Sequence, residues 1–439
     1  MSQLSELINL LLSVEGLLLA IGVFVALLVS QRNQLVRWML LGGLILAASL
    51  NRFRNEWIQV PPSFFGPIDV LVGNGRSVTI LLAIALLLVS VRRSKDDLKI
   101  PVSYLALVVA HYVIAIKIFT QGSLAFALLL VATETLLLVV FVRIGKNWIK
   151  DRESVDYALF AVLFAVFGFV LINLIQWYID PTPLFVAQNR FNGTTGNPLH
   201  AATFLATATP ICLYFMLTRR GWVRVATAAL LAVVAILLLA TGSRLGVLLS
   251  AISIVVLLRK NVGALVVVGF TCGLAVLWMI FLGDASELER ITRTEDTRTA
   301  VWAAMLGGFI ENPLFGIEMR SDRLGFGENS WLAMGSNAGV IGLLPLVVFG
   351  LLSVHTIRKL MNMKTATSSG YLQNGAVAST IAMLLVGSLF EAYLLSGLMA
   401  PINILVLCLL LAARLIHLEK RKRILSRKKT VAHRLVRLG

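Results

Sequence analysis

Long apolar stretches, separated by short polar segments, recur along nearly the whole chain. About thirteen of them approach the length of a membrane-spanning helix, for which about 20 apolar residues are needed. Several are short for a straight span, so the pattern predicts about 12 to 13 transmembrane helices. The stretches lie at roughly 8–29, 35–50, 77–91, 101–119, 122–142, 157–176, 199–217, 225–241, 244–258, 262–282, 333–355, 375–395 and 401–413.

The composition strengthens this interpretation. Of the 439 residues, 58% are hydrophobic and 14% are charged, and the mean hydropathy is +0.88. A chain this apolar cannot consist of soluble domains, so we predict an all-α polytopic membrane protein. The first apolar stretch follows no basic segment and precedes no small-residue cleavage site, so we expect a retained helix rather than a signal peptide.

The basic residues predict the orientation in the membrane. Of 39 Lys and Arg, 28 fall in alternate loops and in the C-terminal segment. Short cytoplasmic loops collect Lys and Arg, so these loops are predicted to be cytoplasmic. The N-terminus is then outside, the C-terminus is in the cytoplasm, and the main external loops are 51–76, 177–198 and 284–332.

The chain is expected to divide into four parts. Residues 1–283 hold the first ten helices, 284–332 form an external loop or lid, 333–416 hold the last helices, and 417–439 are a basic cytoplasmic tail. Within the loop, 299–310 predict a helix and 311–318 a turn. The net charge of +17 requires no nucleic acid. The tail serves either as a topology signal alone or as a contact for anionic lipid headgroups.

A few titratable side chains fall inside predicted spans, where such groups are commonly functional. Glu134 lies in mid-span, His111 and Lys117 share the preceding span, and Glu391 is near an outer end. A purely structural pairing of Glu134 with His111 or Lys117 is an equal alternative. The cysteines also lie within spans and show no disulfide or metal-ligand spacing.

The eleven basic residues outside the cytoplasmic loops are ten Arg and one Lys, Lys117. Arg190 belongs to a Gly-rich turn that ends at Asn197-Pro198, just before a span. A turn that leads into a helix presents free backbone N–H groups to an anion, so this segment predicts a phosphate cradle. Arg244 opens a later span in the segment Ser-Arg-Leu-Gly. It is either a second phosphate ligand or an interfacial anchor.

Two further polar segments follow on the same predicted side of the membrane. The first holds Arg298 and Trp302, followed by the stretch Asn-Pro-Leu-Phe-Gly-Ile at 312–317. The second is Glu-Asn-Ser-Trp-Leu at 328–332, with Asn-Ala-Gly-Val-Ile-Gly at 337–342. In this order, the four segments resemble the O-antigen ligase and polymerase superfamily of bacterial envelope proteins, which also has an acidic residue late in the chain, matched by Glu391.

The resemblance implies a C-type glycosyltransferase with an external cap, in the bacterial inner membrane and with its active site facing outward. Its donor would be a glycan on undecaprenyl pyrophosphate, and its acceptor another lipid-linked glycan or lipid A–core. No metal or other cofactor is expected. The chain departs from the family pattern at three positions: Glu328 replaces a His, Asn337 replaces an acidic residue, and Glu318 replaces a second Gly.

The resemblance also suggests roles for individual residues. Arg190 and Arg244 would bind the pyrophosphate, Asn197 would complete that turn, and Arg298 and Arg320 would support the donor or the lid. In the next segment the family has a His that is the proposed base of the ligases.

Glu328 occupies the position of that His, so it is the first candidate for the general base, positioned by Asn329. His200 is the second candidate, although a helix-start His that faces a neighbour is the commoner case. The missing family His favours a polymerase over a ligase.

Two other classes of protein fit parts of the pattern. A transporter of a small anion such as bicarbonate would also have many spans, but it would bind its substrate near the middle of the bilayer. A non-catalytic envelope scaffold would not need Arg190, Arg244 and Glu328 to converge on one external cavity.

Overall fold

The computed structural model describes residues 14–50, 63–90, 99–186, 190–260, 263, 298–318, 329–363, 365 and 367–438. Helices dominate this part of the chain, as the apolar pattern predicts. In chain order they are α1 Val14–Ser30, α2 Gln34–Ala47, α3 Gly66–Gly73, α4 Gly75–Val89, α5 Val102–Thr120, α6 Leu124–Asn147, α7 Arg152–Ile179, α8 Pro198–Ala206, α9 Ala208–Thr218, α10 Trp222–Ala240, α11 Arg244–Leu258, α12 Arg298–Glu311, α13 Ser330–Met361, α14 Ser368–Gly387 and α15 Ala400–Leu438.

Seven spans in the described ranges are long and apolar enough to cross a membrane. An eighth arises if α3 and α4, which meet at a 74° bend, are one broken span. The helices α2, α11 and the later part of α1 are apolar but shorter. The chain is therefore a multi-pass helical membrane protein. The predicted span at 262–282 falls almost wholly outside the described residues, and the total of 12 to 13 stays a prediction.

Two predicted spans contain breaks in the helix. The stretch at 199–217 is confirmed as one candidate span, Pro198–Thr218, which consists of α8 and α9 with a break at Thr207. The Thr207 hydroxyl donates to the Phe204 carbonyl (2.6 Å), and Pro210 has no N–H to continue the helical ladder, so both residues weaken the helix here. The span predicted at 375–395 was wrong at its C-terminal end, because α14 stops at Gly387 and Tyr393–Leu395 form a 3-10 turn.

The segment 298–318 agrees with its prediction. Residues Arg298–Glu311 form α12, and the following residues leave the helix in a turn. The rest of the predicted cap, residues 284–297 and 319–328, lies outside the described residues, so the cap itself stays a prediction.

Contacts between helix ends show which helix termini lie together at each end of the bundle. At one end, which we call the basic end, Asp156 of α7 accepts hydrogen bonds from Tyr214 of α9 (2.6 Å) and Gln373 of α14 (2.7 Å). Arg259, after α11, donates to Met361 at the end of α13 (2.8 Å). The opposite ends of these helices carry the segments 179–186, 190–198, 240–244, 312–318, 329–330 and 387–400, and we call this the loop end.

Small residues allow the helices to approach closely in the core. A Cβ added to Gly42 of α2 would lie 2.6 Å from the Ala161 carbonyl oxygen of α7. Nearby, the rings of Trp38 and Trp148 meet edge to face with 5.4 Å between centroids. Van der Waals contact of this kind drives helix association in lipid, where no hydrophobic force acts between apolar helices. The bundle thereby fixes the helix ends from which the candidate site is built.

Candidate active site

The Gly-rich turn before α8 is a hydrogen-bonded hairpin. Strand β1 (Phe185–Val186) pairs antiparallel with β2 (Arg190–Phe191), and a 3-10 turn, Gly193–Thr195, follows. Asn173 of α7 accepts a hydrogen bond from the Thr194 N–H (3.0 Å). The Asn197 side chain then caps α8 by accepting from the Leu199 N–H (2.8 Å). The predicted tight turn is present, and its shape is fixed by buried polar contacts.

Arg190 lies against the turn that carries the second predicted phosphate ligand. Its Nε donates to the carbonyl oxygen of Thr241 (2.8 Å), three residues before Arg244. Arg244 is the first residue of α11 and is exposed, whereas Arg190 is half-buried. Ser243 caps this helix by accepting from the Gly246 N–H (3.3 Å). The two arginines therefore belong to adjoining segments at the loop end, as their proposed shared ligand requires.

His200, in the first turn of α8, faces a carboxylate from a distant part of the chain. Its Nε2 lies 3.6 Å from Oε2 of Glu391, slightly too far for a hydrogen bond. The His200 side chain is 29% exposed and that of Glu391 only 7%. An imidazole this close to a carboxylate is a candidate proton acceptor.

The segment that carries Glu391 is held by the start of α13. The Ser330 hydroxyl donates to the Glu391 carbonyl oxygen (2.6 Å) and accepts from the Leu394 N–H (3.3 Å). Asn329 caps α13 by accepting from the N–H groups of Trp331 (2.9 Å) and Leu332 (3.1 Å). Asn329, a predicted substrate-binding residue, is thus a buried helix cap next to the candidate site.

Arg298 approaches the same segment from α12. Its guanidinium carbon lies 5.7 Å from the centroid of the Phe390 ring, within cation–π range. The Trp302 ring also packs on Phe390, with 6.0 Å between centroids. Because Phe390 immediately precedes Glu391, α12 is attached to the segment that faces His200.

The stretch 312–317 interlocks with a kink in α13. Gly339 has φ +60° and ψ −159° inside that helix, and Gly316 has φ +72°. An added Cβ at Gly339 would overlap the main chain of Leu314, and one at Gly316 would overlap the main chain of Asn337. Main-chain hydrogen bonds join the two segments, from the Ile317 N–H to Ser336 O (2.8 Å) and from the Val340 N–H to Pro313 O (2.8 Å).

Lys117 contributes to the same interlock, although the sequence assigned it no role. Its ammonium donates to the carbonyl oxygens of Phe315 (2.8 Å) and Gly316 (3.1 Å). The single Lys of the outer basic set therefore anchors a turn. Sequence reasoning found the two Gly-containing motifs but had no signal for the residue that joins them to α5.

Electrostatics near Glu391 affect one further group. Burial, together with the Glu391 carboxylate, raises the pKa of the Tyr393 hydroxyl well above its usual range. This hydroxyl donates to the carbonyl oxygen of Leu384 and is fully buried. Tyr393 is therefore a structural hydrogen-bond donor rather than an acid or base of the site.

The described candidates converge in part. His200, Arg298 and Asn329 all lie at the segment around Glu391, and Arg190 and Arg244 lie at the turn beside α8. Glu328 and Arg320 lie outside the described residues. Within the described ranges, no group of three or more His, Cys, Asp or Glu is arranged to hold a metal ion. The sequence noted Glu391 but could not pair it with His200, which is nearly two hundred residues away.

Comparison with known proteins adds no assignment. No protein-family model matches the chain, and no curated protein matches it significantly. The family resemblance therefore depends only on the order and spacing of the four sequence segments.

Proposed function

We propose that this protein is a membrane glycosyltransferase that transfers or polymerises a glycan from undecaprenyl pyrophosphate on the outer face of the bacterial inner membrane. The observation that carries the proposal is the contact between His200 and Glu391 at the end of the bundle that also holds Arg190 and Arg244. A proton acceptor and two arginines at one membrane surface match the two demands of this reaction.

The first demand is stabilisation of the leaving group. Negative charge develops on the pyrophosphate as the bond between the sugar C1 and the phosphate oxygen breaks, and fixed positive groups lower that barrier. Arg190 and Arg244 supply guanidinium groups, whose planar donors match phosphate oxygens. Arg298 would support the donor from α12, and the reaction would need no metal.

The second demand is removal of the acceptor hydroxyl proton. His200 accepts this proton, and Glu391 stabilises the imidazolium that forms. Glu328 is the alternative base, because it directly precedes Asn329, which caps α13 beside the Glu391 segment. The acceptor is a second lipid-linked glycan or lipid A–core, and the absence of the family His favours the polymerase.

The opposite end of the bundle fits contact with the inner leaflet. The loops at the basic end carry most of the Lys and Arg, which supports a cytoplasmic location for that end and for the C-terminus. Helix α15 extends from Ala400 through the basic segment to Leu438. Anionic lipid headgroups are the proposed partners of this segment.

The proposal is tested in a deletion strain of the host that expresses variants of the chain. Arg190→Ala, Arg244→Ala and His200→Gln should each reduce glycan synthesis, by roughly 100-fold for loss of a transition-state contact. Arg76→Ala is the matched control, because Arg76 is an exposed Arg at the start of α4, away from the site. The readout is envelope glycan length on a gel at equal protein level.

The same experiment identifies the base. Loss of long glycan with His200→Gln but not with Glu328→Gln assigns the role to His200, and the reverse result assigns it to Glu328. Wild-type glycan from both arginine variants would refute the proposed function.

A further inference from the structure

A buried ion pair lies in the bundle beneath the candidate site. His111 of α5 and Glu134 of α6 are 2% and 4% exposed, and Nδ1 of the imidazole is 2.8 Å from Oε2 of the carboxylate. The other imidazole nitrogen, Nε2, lies 2.6 Å from the carbonyl oxygen of Leu394. The other carboxylate oxygen accepts a hydrogen bond from the Gly397 N–H (2.8 Å).

The chemistry of these contacts fixes which nitrogen of His111 faces which partner. A carbonyl oxygen only accepts, so Nε2 of His111 carries a hydrogen and donates to Leu394. Nδ1 is then the nitrogen that pairs with the Glu134 carboxylate. Each of the two side chains therefore contacts the other through one atom and the main chain of residues 394–397 through a second atom.

Both main-chain contacts are made to the connection that carries Glu391. Ser330 also contacts the same connection, at Glu391 and Leu394. At Gly397 there is no space for a side chain, since an added Cβ would overlap the Glu134 carboxylate. The connection is thus held by polar contacts from α13, α5 and α6.

We propose that the His111–Glu134 pair is a positioning device for catalysis: it sets the location of Glu391 relative to His200. The inference rests on the proposed function, because it assumes that the His200–Glu391 contact is catalytic. A buried ion pair is a poor source of stability, since apolar residues of similar volume usually pack as well. What this pair provides is two directed contacts to one non-helical segment between α14 and α15.

A geometric experiment tests the positioning without reference to activity. His200→Cys and Glu391→Cys are combined in the full chain, with the native cysteines replaced by Ala, and the two thiols are joined by a short bifunctional thiol reagent. Glu134→Ala should lower the cross-linking yield severalfold in folded, monodisperse protein. Glu134→Gln should retain the yield, because the amide donates to neutral Nδ1 and still accepts from Gly397.

Tyr112→Phe is the matched control. It removes a hydrogen bond between the same two helices, from Tyr112 to Thr135 (2.9 Å), that does not involve residues 394–397. An unchanged yield with Glu134→Ala, or an equal loss with Tyr112→Phe, would overturn the proposal. If Glu134→Ala does not fold, Gly397→Ala decides, because its methyl group would overlap the Glu134 carboxylate and so disrupt the contact between that carboxylate and the segment. An unchanged yield then overturns the proposal.

A kinetic arm tests the catalytic consequence. Glu134→Ala and Glu391→Gln should each lower kcat with little change in KM, and the double variant should be no slower than the slower single variant. Multiplied losses would show that the pair does not act through Glu391. If cross-linking responds as expected but His200 and Glu391 variants make normal glycan, the proposed function fails and the positioning of the segment stands.

Discussion

At the scale of single residues, the outer arginines differ in what their side chains must do. Arg190 uses Nε to hold the Thr241 carbonyl, so this side chain fixes the turn before α11 in addition to its proposed role at the pyrophosphate. Arg244 is exposed at the first position of that helix and adds charge where backbone N–H groups also favour an anion. A lysine could supply the charge at either position, but not a planar set of donors.

Lysine substitutions separate these contributions. Arg190→Lys should remove both the hydrogen bond to Thr241 and the planar set of donors. We expect a loss of about 2 kcal/mol of transition-state stabilisation, which is roughly a 30-fold fall in kcat/KM. Arg244→Lys should have a smaller effect, mainly on KM for the donor. Initial rates at varied lipid-linked glycan measure both, with Arg76→Lys as control. Equal, near-wild-type rates for both variants would show that charge alone is sufficient.

At the scale of elements, the breaks in helices are as important as the helices. Apolar periodicity predicted most spans and the helix–turn of 298–318, because local hydrophobicity determines both. It did not predict the end of α14 at Gly387, since residues 388–399 are as apolar as a span. Their path depends on contacts from Ser330, His111 and Glu134, which are distant in sequence.

The interlock between 312–317 and α13 should be sensitive to a single methyl group. Gly339→Ala places a Cβ against the main chain of Leu314 at a positive φ, which should cost about 1–3 kcal/mol in strain alone and lower Tm. Gly307→Ala is the matched control, because no atom lies within 4 Å of its added Cβ in α12. That change should raise helix stability by about 0.5–1 kcal/mol.

Thermal unfolding of the purified protein in detergent, followed by loss of the monodisperse peak, measures both variants. The two Gly→Ala changes should shift Tm in opposite directions. A Tm for Gly339→Ala equal to or above that of Gly307→Ala would mean that the kink is not constrained by the turn.

At the scale of the whole molecule, charge and structure divide the bundle in the same way. The basic end carries the Arg152, Arg219 and Arg259 contacts, and the loop end carries the candidate site. The sequence could predict which residues share an end, because alternation of loops is a one-dimensional property. It could not predict that His200 would meet Glu391, because this contact depends on where the connection after α14 lies relative to the start of α8.

The orientation of the two ends is measurable in intact cells. Thr182→Cys, exposed after α7, should react with a membrane-impermeant thiol reagent from outside. Ser368→Cys, exposed at the first residue of α14, should react only after the membrane is permeabilised. Both variants are made without the native cysteines, and detergent-permeabilised cells show that each thiol is reactive. The opposite labelling pattern would invert the proposed topology and move the site to the cytoplasm.

The glycine interlock also has a consequence for how the chain can vary. Its contacts join main-chain atoms, so they restrict Gly316 and Gly339 but place little demand on the identity of neighbouring side chains. Leu314 and Phe315 are accordingly 59% and 65% exposed. The turn can exchange its outward-facing residues while its own shape is preserved. Random mutagenesis should therefore find that substitutions at the exposed positions of this turn are tolerated, whereas substitutions of Gly316 or Gly339 are not.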